Sequence, residues 1–378
     1  VSESWSNFFA AALNQFDALA LRRRRTVAND ASLIDFGSND YLGLRRHPLL
    51  VKAVQDALTL GVWGSGASPV VSGYSQLQSQ LEAALAEFSD QPAAMVFSSG
   101  YATNAGTIAC LGQKDDLILS DQLNHASLID GCRLSAATRI VYTHGSLDEV
   151  RENLRAQRHC FKRALIVTES IFSMDGDSAP LKELGELARS YDCGLVIDEA
   201  HAVGIYGERG SGLVEHLGLD LPMLLKLGTL SKSLGSMGGY ACGESTCIEY
   251  LVNRCRSYMF STSPPPAMFA APLAALELAQ GMEEARSRLR RTGQSLRSRI
   301  SQLGLKVPLG DSPIVPVVVG TSEQALAIQQ SLRQRGYYVP AIRPPTVPAG
   351  TARLRISLSI LHTPEHVDGL VEALSAAI

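Results

Sequence analysis

Gly194-Leu195-Val196-Ile197-Asp198-Glu199-Ala200-His201 decides the fold, because an unbroken apolar run passes directly into a polar cluster. Consecutive apolar positions, rather than alternating ones, belong to a strand buried on both faces, as in a parallel sheet covered by helices. Outward from this segment the same pattern recurs in AAMVF (93–97), DLILS (116–120), RIVYT (139–143), ALIVT (164–168) and MLLKLGT (223–229). Helical stretches separate these runs, and GGYACG (238–243) comes soon enough after the last to pair antiparallel. The pattern predicts an α/β large domain whose mainly parallel seven-stranded sheet lies between helices.

The residues just beyond these runs point to a site. Ser98-Ser99-Gly100-Tyr101 succeeds the first run, Asp121 through His125 the second, Glu169 through Ser173 the fourth, and Thr229-Leu230-Ser231-Lys232 the last. Ligands of open α/β sheets bind beyond the carboxyl ends of the strands. Polar residues recurring there predict one shared site.

At the N-terminus, Trp5, Phe8, Phe9, Leu13 and Phe16 fall at helical spacing, and Arg22 to Arg25 suit the end of that helix. Beyond about residue 280 a charged helix (283–302), a strand (314–319), a helix (322–335), strand-like YYVPAIR (337–343) and ARLRISL (352–358), and a last helix from about 363 predict a smaller α/β domain with an antiparallel sheet. The expected division is 1–45 as N-terminal helix and arm, 46–280 as the large domain and 281–378 as the small one.

Composition removes several classes of function. In 378 residues, 34 basic and 37 acidic side chains leave a net charge of −3, without the basic footprint of a nucleic-acid binder. The uncharged run 257–276 has the length of a membrane span, but Pro264, Pro265, Pro266 and Pro272 break it, so no membrane association is expected. Val1 to Leu21 carries Glu3, Asn7, Asn14 and Asp17 and does not read as a signal peptide. Seven scattered cysteines form no CxxC pair, which indicates buried thiols in a reducing cytoplasm and no metal site. Neither GxSxG nor an early GxGxxG occurs, against a hydrolase or a Rossmann dehydrogenase. The DExH string lacks a Walker lysine loop and the charge of a helicase. His362 and His366 flank Pro364 and read as a helix start on the surface.

Three features carry chemistry. Ser98-Ser99-Gly100 opens a helix whose N–H groups suit a phosphate, although taken alone a plain strand-to-helix turn is the better reading. Asp198 ends an apolar strand and needs a cationic partner, either a protonated ring nitrogen or an arginine. Lys232 lies in a Ser- and Gly-rich turn, where it is a solvated loop residue or an amine able to form a Schiff base. Together, a phosphate cradle, a carboxylate for a ring nitrogen and a Schiff-base lysine match the needs of pyridoxal phosphate. His125, at another strand end, is placed to stack on its ring.

The strings SNDYLGL (38–44), HASLIDG (125–131), ESIFSMDGDSAPL (169–181), DEAHAVGIYGERG (198–210) and TLSKSLGSMGGY (229–240) resemble the α-oxoamine synthase family, fold-type I pyridoxal-phosphate-dependent transferases that join an amino acid to an acyl-CoA with loss of carbon dioxide. AIRPPTVPAGTARLRISL (341–358) and the LRRRR segment are most similar to members that condense L-alanine with a pimeloyl thioester in biotin biosynthesis. The resemblance implies a cytoplasmic homodimer with sites at the subunit interface. By the family's motifs it assigns Lys232, His125 and Asp198 to catalysis. Gly100, Tyr101, Ser173, His201 and Thr229 join them as cofactor contacts, with Thr262 reaching the phosphate of the neighbouring subunit. Asn39 and Arg355 match the pair for the amino acid's carboxylate, His125 also faces substrate, and Arg22 and Thr346 match acyl-substrate contacts. Two departures stand out: Pro69 replaces a small or basic residue, and Tyr101 a common phenylalanine. The competing expectations are a family member using glycine or serine with another acyl-CoA, and a non-catalytic paralogue, which would typically lack the lysine.

Overall fold

The computed structural model describes residues 4–25 and 32–378, so part of the expected N-terminal arm (1–3 and 26–31) lies outside the described residues. By their internal contacts the described residues divide into two units.

The larger unit comprises Asp40–Ser173 and Asp177–Leu289. Its sheet contains β1 (Ala93–Phe97), β2 (Asp116–Asp121), β3 (Thr138–Tyr142), β4 (Arg163–Glu169), β5 (Gly194–Asp198), β6 (Leu224–Thr229) and β7 (Gly239–Gly243). Their spatial order is β1-β7-β6-β5-β4-β2-β3. Neighbours from β3 across to β6 run parallel, and β7 is antiparallel to both β6 and β1, the pairing expected of GGYACG. Every residue of β2, β5, β6 and β7 is buried, which is why these strands read as continuous apolar runs. One core face gathers Phe97, Ile108, Ile118, Val167, Val196 and Leu225.

Two helices start at strand ends. In α1 (Gly100–Leu111) the Ser99 hydroxyl accepts the Ala102 N–H at 3.1 Å, and in α2 (Ala126–Leu134) His125 Nδ1 accepts the Ser127 N–H at 3.3 Å. Both are side-chain caps on the first helical turn. The Asp198-Glu199 pair divides its labour. Glu199 accepts the N–H groups of Leu213 (2.9 Å) and Val214 (2.7 Å), which open the short helix Leu213–Leu217, and the Ser170 hydroxyl at 2.9 Å. Asp198 remains for the site.

The smaller unit takes the described residues up to Asn39, Met174–Gly176 and Arg290–Ile378. Its antiparallel sheet pairs β8 (Ile314–Gly320) with β9 (Ala352–Ser357), and β9 with Ala341–Ile342. Strand-like YYVPAIR is in fact two pieces. Tyr337–Tyr338 pairs parallel with Ile34–Asp35, and Pro340, which has no N–H for a ladder, separates it from Ala341–Ile342. His366 does open the last helix, in a capping box with Thr363. His362 departs from the surface assignment: it stacks on Phe36 at 3.9 Å and bonds the Asp35 carbonyl at 3.1 Å. The N-terminal helix spans Trp5–Ala18, with Trp5, Phe8 and Phe9 clustered and exposed. Cys110, Cys132, Cys242 and Cys255 are buried as expected, whereas Cys160 is exposed. No helix among the described residues is long and apolar enough to cross a membrane.

Candidate active site

The carboxyl ends of β1, β2, β4, β5 and β6 converge on a cavity of about 250 Å³ lined by Gly100, Tyr101, His125, Glu169, Asp198, His201, Thr229 and Lys232, among others. The larger unit has a bigger cavity, about 490 Å³, at the opposite ends of the strands. There Arg163 is held by Asp116 and Arg158 by backbone carbonyls, so its guanidinium groups are already occupied. The smaller cavity holds the reactive groups.

Asp198 is buried at the end of β5 and accepts Asn104 Nδ2 at 2.6 Å and the Ala200 N–H at 2.8 Å. Asn104 also donates to the Ser127 hydroxyl at 2.9 Å, tying α1 to α2 behind the carboxylate. Lys232 Nζ lies 2.7 Å from His201 Nε2, and His201 Nδ1 lies 2.7 Å from the Tyr41 hydroxyl. These three residues form a continuous hydrogen-bond chain ending in the amine. His125 Nδ1 is engaged by Ser127, and burial lowers the pKa of the ring; the nearby Asp198 opposes this and the charge of Lys232 adds to it. A neutral imidazole with Nδ1 accepting carries its proton on Nε2.

Glu169 stands beside Asp198 in the β4–β5 register and is buried. Burial, reinforced by the charge of Asp198, drives its carboxyl well above the usual range. Its Oε1 has no protein partner. One end of the cavity is built from the N-terminus of α1 and the hydroxyls of Thr229 and Ser231, 2.7 Å apart. A Cβ on Gly100 would come within 3.3 Å of Thr229, so glycine keeps this cradle open.

Of the other residues singled out in the sequence, Ser173 is buried just off the lining and bonds the Glu169 carboxyl through its backbone N–H. Tyr101 is half exposed, and its added hydroxyl is used, donating to Asp130 on α2. Thr262 is exposed and lies outside the cavity. In the smaller unit, Arg355 Nη1 donates to Asn39 Oδ1 at 3.0 Å and to the Ser357 hydroxyl at 2.6 Å, so the two residues singled out for a carboxylate lie together. Arg22 pairs with Asp17, and the arginine that reaches Thr346 is Arg23, at 3.2 Å. Asn104, Tyr41 and Ser127 had no assigned role in the sequence. An asparagine inside an otherwise small and apolar helix was the one available signal, since it is a poor helix former without a partner.

These residues fit pyridoxal phosphate on chemical grounds. The helix terminus and hydroxyls suit a phosphate, the buried Asp198 suits a ring N–H, His125 offers a flat neutral ring, and the Lys232 amine lies in the same cavity.

Known proteins share this chain's sequence and fold. The family model "Aminotransferase class I and II" matches residues 31–374. An 8-amino-7-oxononanoate synthase of Bordetella petrii is 43% identical over 97% of this chain and 96% of its own. A solved structure of SPT with PLP superposes with TM-score 0.92 at 30% identity, covering 100% of this chain and 98% of that one, and a Sphingomonas wittichii serine palmitoyltransferase gives the same values. The 8-amino-7-oxononanoate synthase of Francisella tularensis gives TM-score 0.79 at 27% identity, covering 92% and 98%. By the extent of that model and the identity to its relatives, this chain belongs to the class I and II aminotransferase family and, within it, to the α-oxoamine synthases.

Proposed function

We propose that this chain condenses L-alanine with a pimeloyl thioester, giving 8-amino-7-oxononanoate, free thiol and carbon dioxide in biotin biosynthesis, with pyridoxal phosphate as cofactor. The observation that carries the chemistry is Lys232 and Asp198 lining one cavity at the carboxyl ends of a parallel sheet. The substrates are inferred from relatives named 8-amino-7-oxononanoate synthase at 43% identity over nearly the whole chain. The higher TM-score to SPT does not favour serine and a long acyl chain, because backbone likeness reports fold and substrate choice resides in side chains.

When bound, pyridoxal phosphate supplies an electron sink that no protein side chain offers. The chain's own residues do the rest. Asp198, braced by Asn104, faces the ring nitrogen and favours its protonated form. The start of α1 with Thr229 and Ser231 holds the phosphate, and Ser173, through Glu169, supports the neighbouring end where Asp198 lies. His125 covers the ring face, and His201 sets the Lys232 amine. Arg355 and Asn39 take the alanine carboxylate. Lys232 Nζ removes the Cα proton as general base. The Cα then bonds to the thioester carbonyl carbon, the C–S bond breaks, the carboxylate leaves as carbon dioxide and a proton returns to Cα. Thr346, together with Arg22 and the adjacent Arg23 that bonds it, contacts the acyl substrate. The working form is a cytoplasmic homodimer in which Thr262 serves the partner's phosphate. Exposed Leu60, Trp63, Val71 and Phe260 on the larger unit supply apolar surface for that association.

Lys232→Ala tests the assignment. Turnover should vanish while cofactor still binds weakly, and borohydride should fix the cofactor to the Lys232 peptide of the parent only. Normal turnover by the variant would overturn the assignment.

A further inference from the structure

His144 lies just beyond β3 and is unused by the chemistry above, yet it joins three strand ends. Its Nδ1 lies 2.9 Å from Asp121 Oδ1 at the end of β2, and its Nε2 lies 2.8 Å from Asp177 Oδ2 in the segment after β4. Asp121 also accepts the N–H groups of Leu123 (2.8 Å) and Gly145 (3.1 Å). Around Asp177 the chain doubles back on itself: the Phe172 N–H meets the Asp177 carbonyl at 2.9 Å, and Ile171 bridges Ser178. Phe172 packs edge-on to the His144 ring at 4.4 Å. An imidazole that is neutral donates through one nitrogen only, so satisfying both carboxylates requires the imidazolium.

We propose that His144 is a charged clamp that positions the cofactor-facing residues: through Asp121 it fixes the turn that delivers His125, and through Asp177 the segment that delivers Ser173. His125 comes four positions after Asp121, and Phe172 adjoins Ser173. Burial alone would lower the His144 pKa, but hydrogen bonds and charge from Asp121 and Asp177 outweigh it and push the pKa up to about 10. The clamp rests on the reading of the neighbouring cavity as the pyridoxal phosphate site.

The test compares parent, His144→Gln, Asp177→Asn and the double variant by pyridoxal phosphate affinity of the apoprotein, induced circular dichroism of the bound cofactor, and thermal unfolding of apo and holo forms. Each single variant should weaken cofactor binding about tenfold and diminish the dichroic band, as expected when cofactor-facing groups are misplaced. The double variant should be no worse than the weaker single one, and the holo form should lose more stability than the apo form. Cofactor affinity and dichroism matching the parent, whatever the loss of apo stability, would reduce His144 to a structural brace and overturn the proposal. Additive losses would do the same. If His144→Gln does not fold, Asp177→Asn alone decides by the same criteria. Failure of the parent itself to bind pyridoxal phosphate would overturn the clamp together with the cavity assignment.

Discussion

Asn104 is placed where a single amide decides whether Asp198 is adequately solvated by the protein. Removing one partner of a buried hydrogen bond costs about 1–3 kcal/mol. Asn104→Ala is therefore expected to weaken pyridoxal phosphate binding or kcat/KM roughly ten- to hundredfold, with little change in fold; titration of the apoprotein and steady-state kinetics check it. His144 gives a pH signature. Its folded pKa of about 10 lies above the ordinary 6.5, so its stabilisation is complete below pH 6.5 and fades as the pH climbs through 10. The stability gap between parent and His144→Gln should shrink over that window in denaturant titrations. His362 has the opposite sign. Burial lowers its pKa to about 4, so the stability it confers exists above pH 6.5 and is lost as the pH falls toward 4. At this scale the sequence revealed the strand-end residues, since Lys232, Asp198 and His125 each come at or just after the end of an apolar run. It did not reveal Tyr41 on His201, 160 residues away, or Asn104 on Asp198, 94 residues away. Such pairs exist only once the sheet order has brought distant ends together.

The elements were more legible, for a physical reason. A strand buried on both faces leaves little room for polar residues, so β2, β4, β5, β6 and β7 announce themselves as runs, while β3 at the sheet edge is mostly exposed, and the turns after them carry the polar side chains. YYVPAIR was not legible in the same way, because strands of two residues have too little periodicity to identify and Pro340 decides the break. Glycine reports close approach at one junction. A Cβ on Gly239, the first residue of β7, would meet Gly100 N at 2.7 Å and collide with Thr103 Oγ1. Overpacking of this kind costs about 1–3 kcal/mol, here applied to the start of α1. Gly239→Ala should lower pyridoxal phosphate affinity roughly tenfold or more, read by the absorbance of the bound cofactor. Glu199 is the contrasting case within the DExH string. Glu199→Ala leaves two buried helix N–H groups without their acceptor and should destabilise the protein by about 2–4 kcal/mol in chemical unfolding.

For the whole molecule, residues 174–176 group with the smaller unit, although in the chain they lie inside the larger one. That assignment depends on contacts such as Arg353 with Asp175 and Ser312 with Gly176, which no local pattern encodes. The homodimer is tested by sedimentation: the parent should run as a dimer, and Trp63→Asp with Val71→Asp should shift it toward monomer with loss of activity. A parent that stays monomeric while fully active would contradict shared sites. The most direct measurement for the central claim is thiol release by the cofactor-loaded protein. The grid pairs alanine, glycine and serine with pimeloyl-, succinyl-, acetyl- and palmitoyl-CoA. Release confined to alanine with pimeloyl-CoA is the predicted result, and release with serine and palmitoyl-CoA, or with any pair excluding alanine and pimeloyl-CoA, would contradict it.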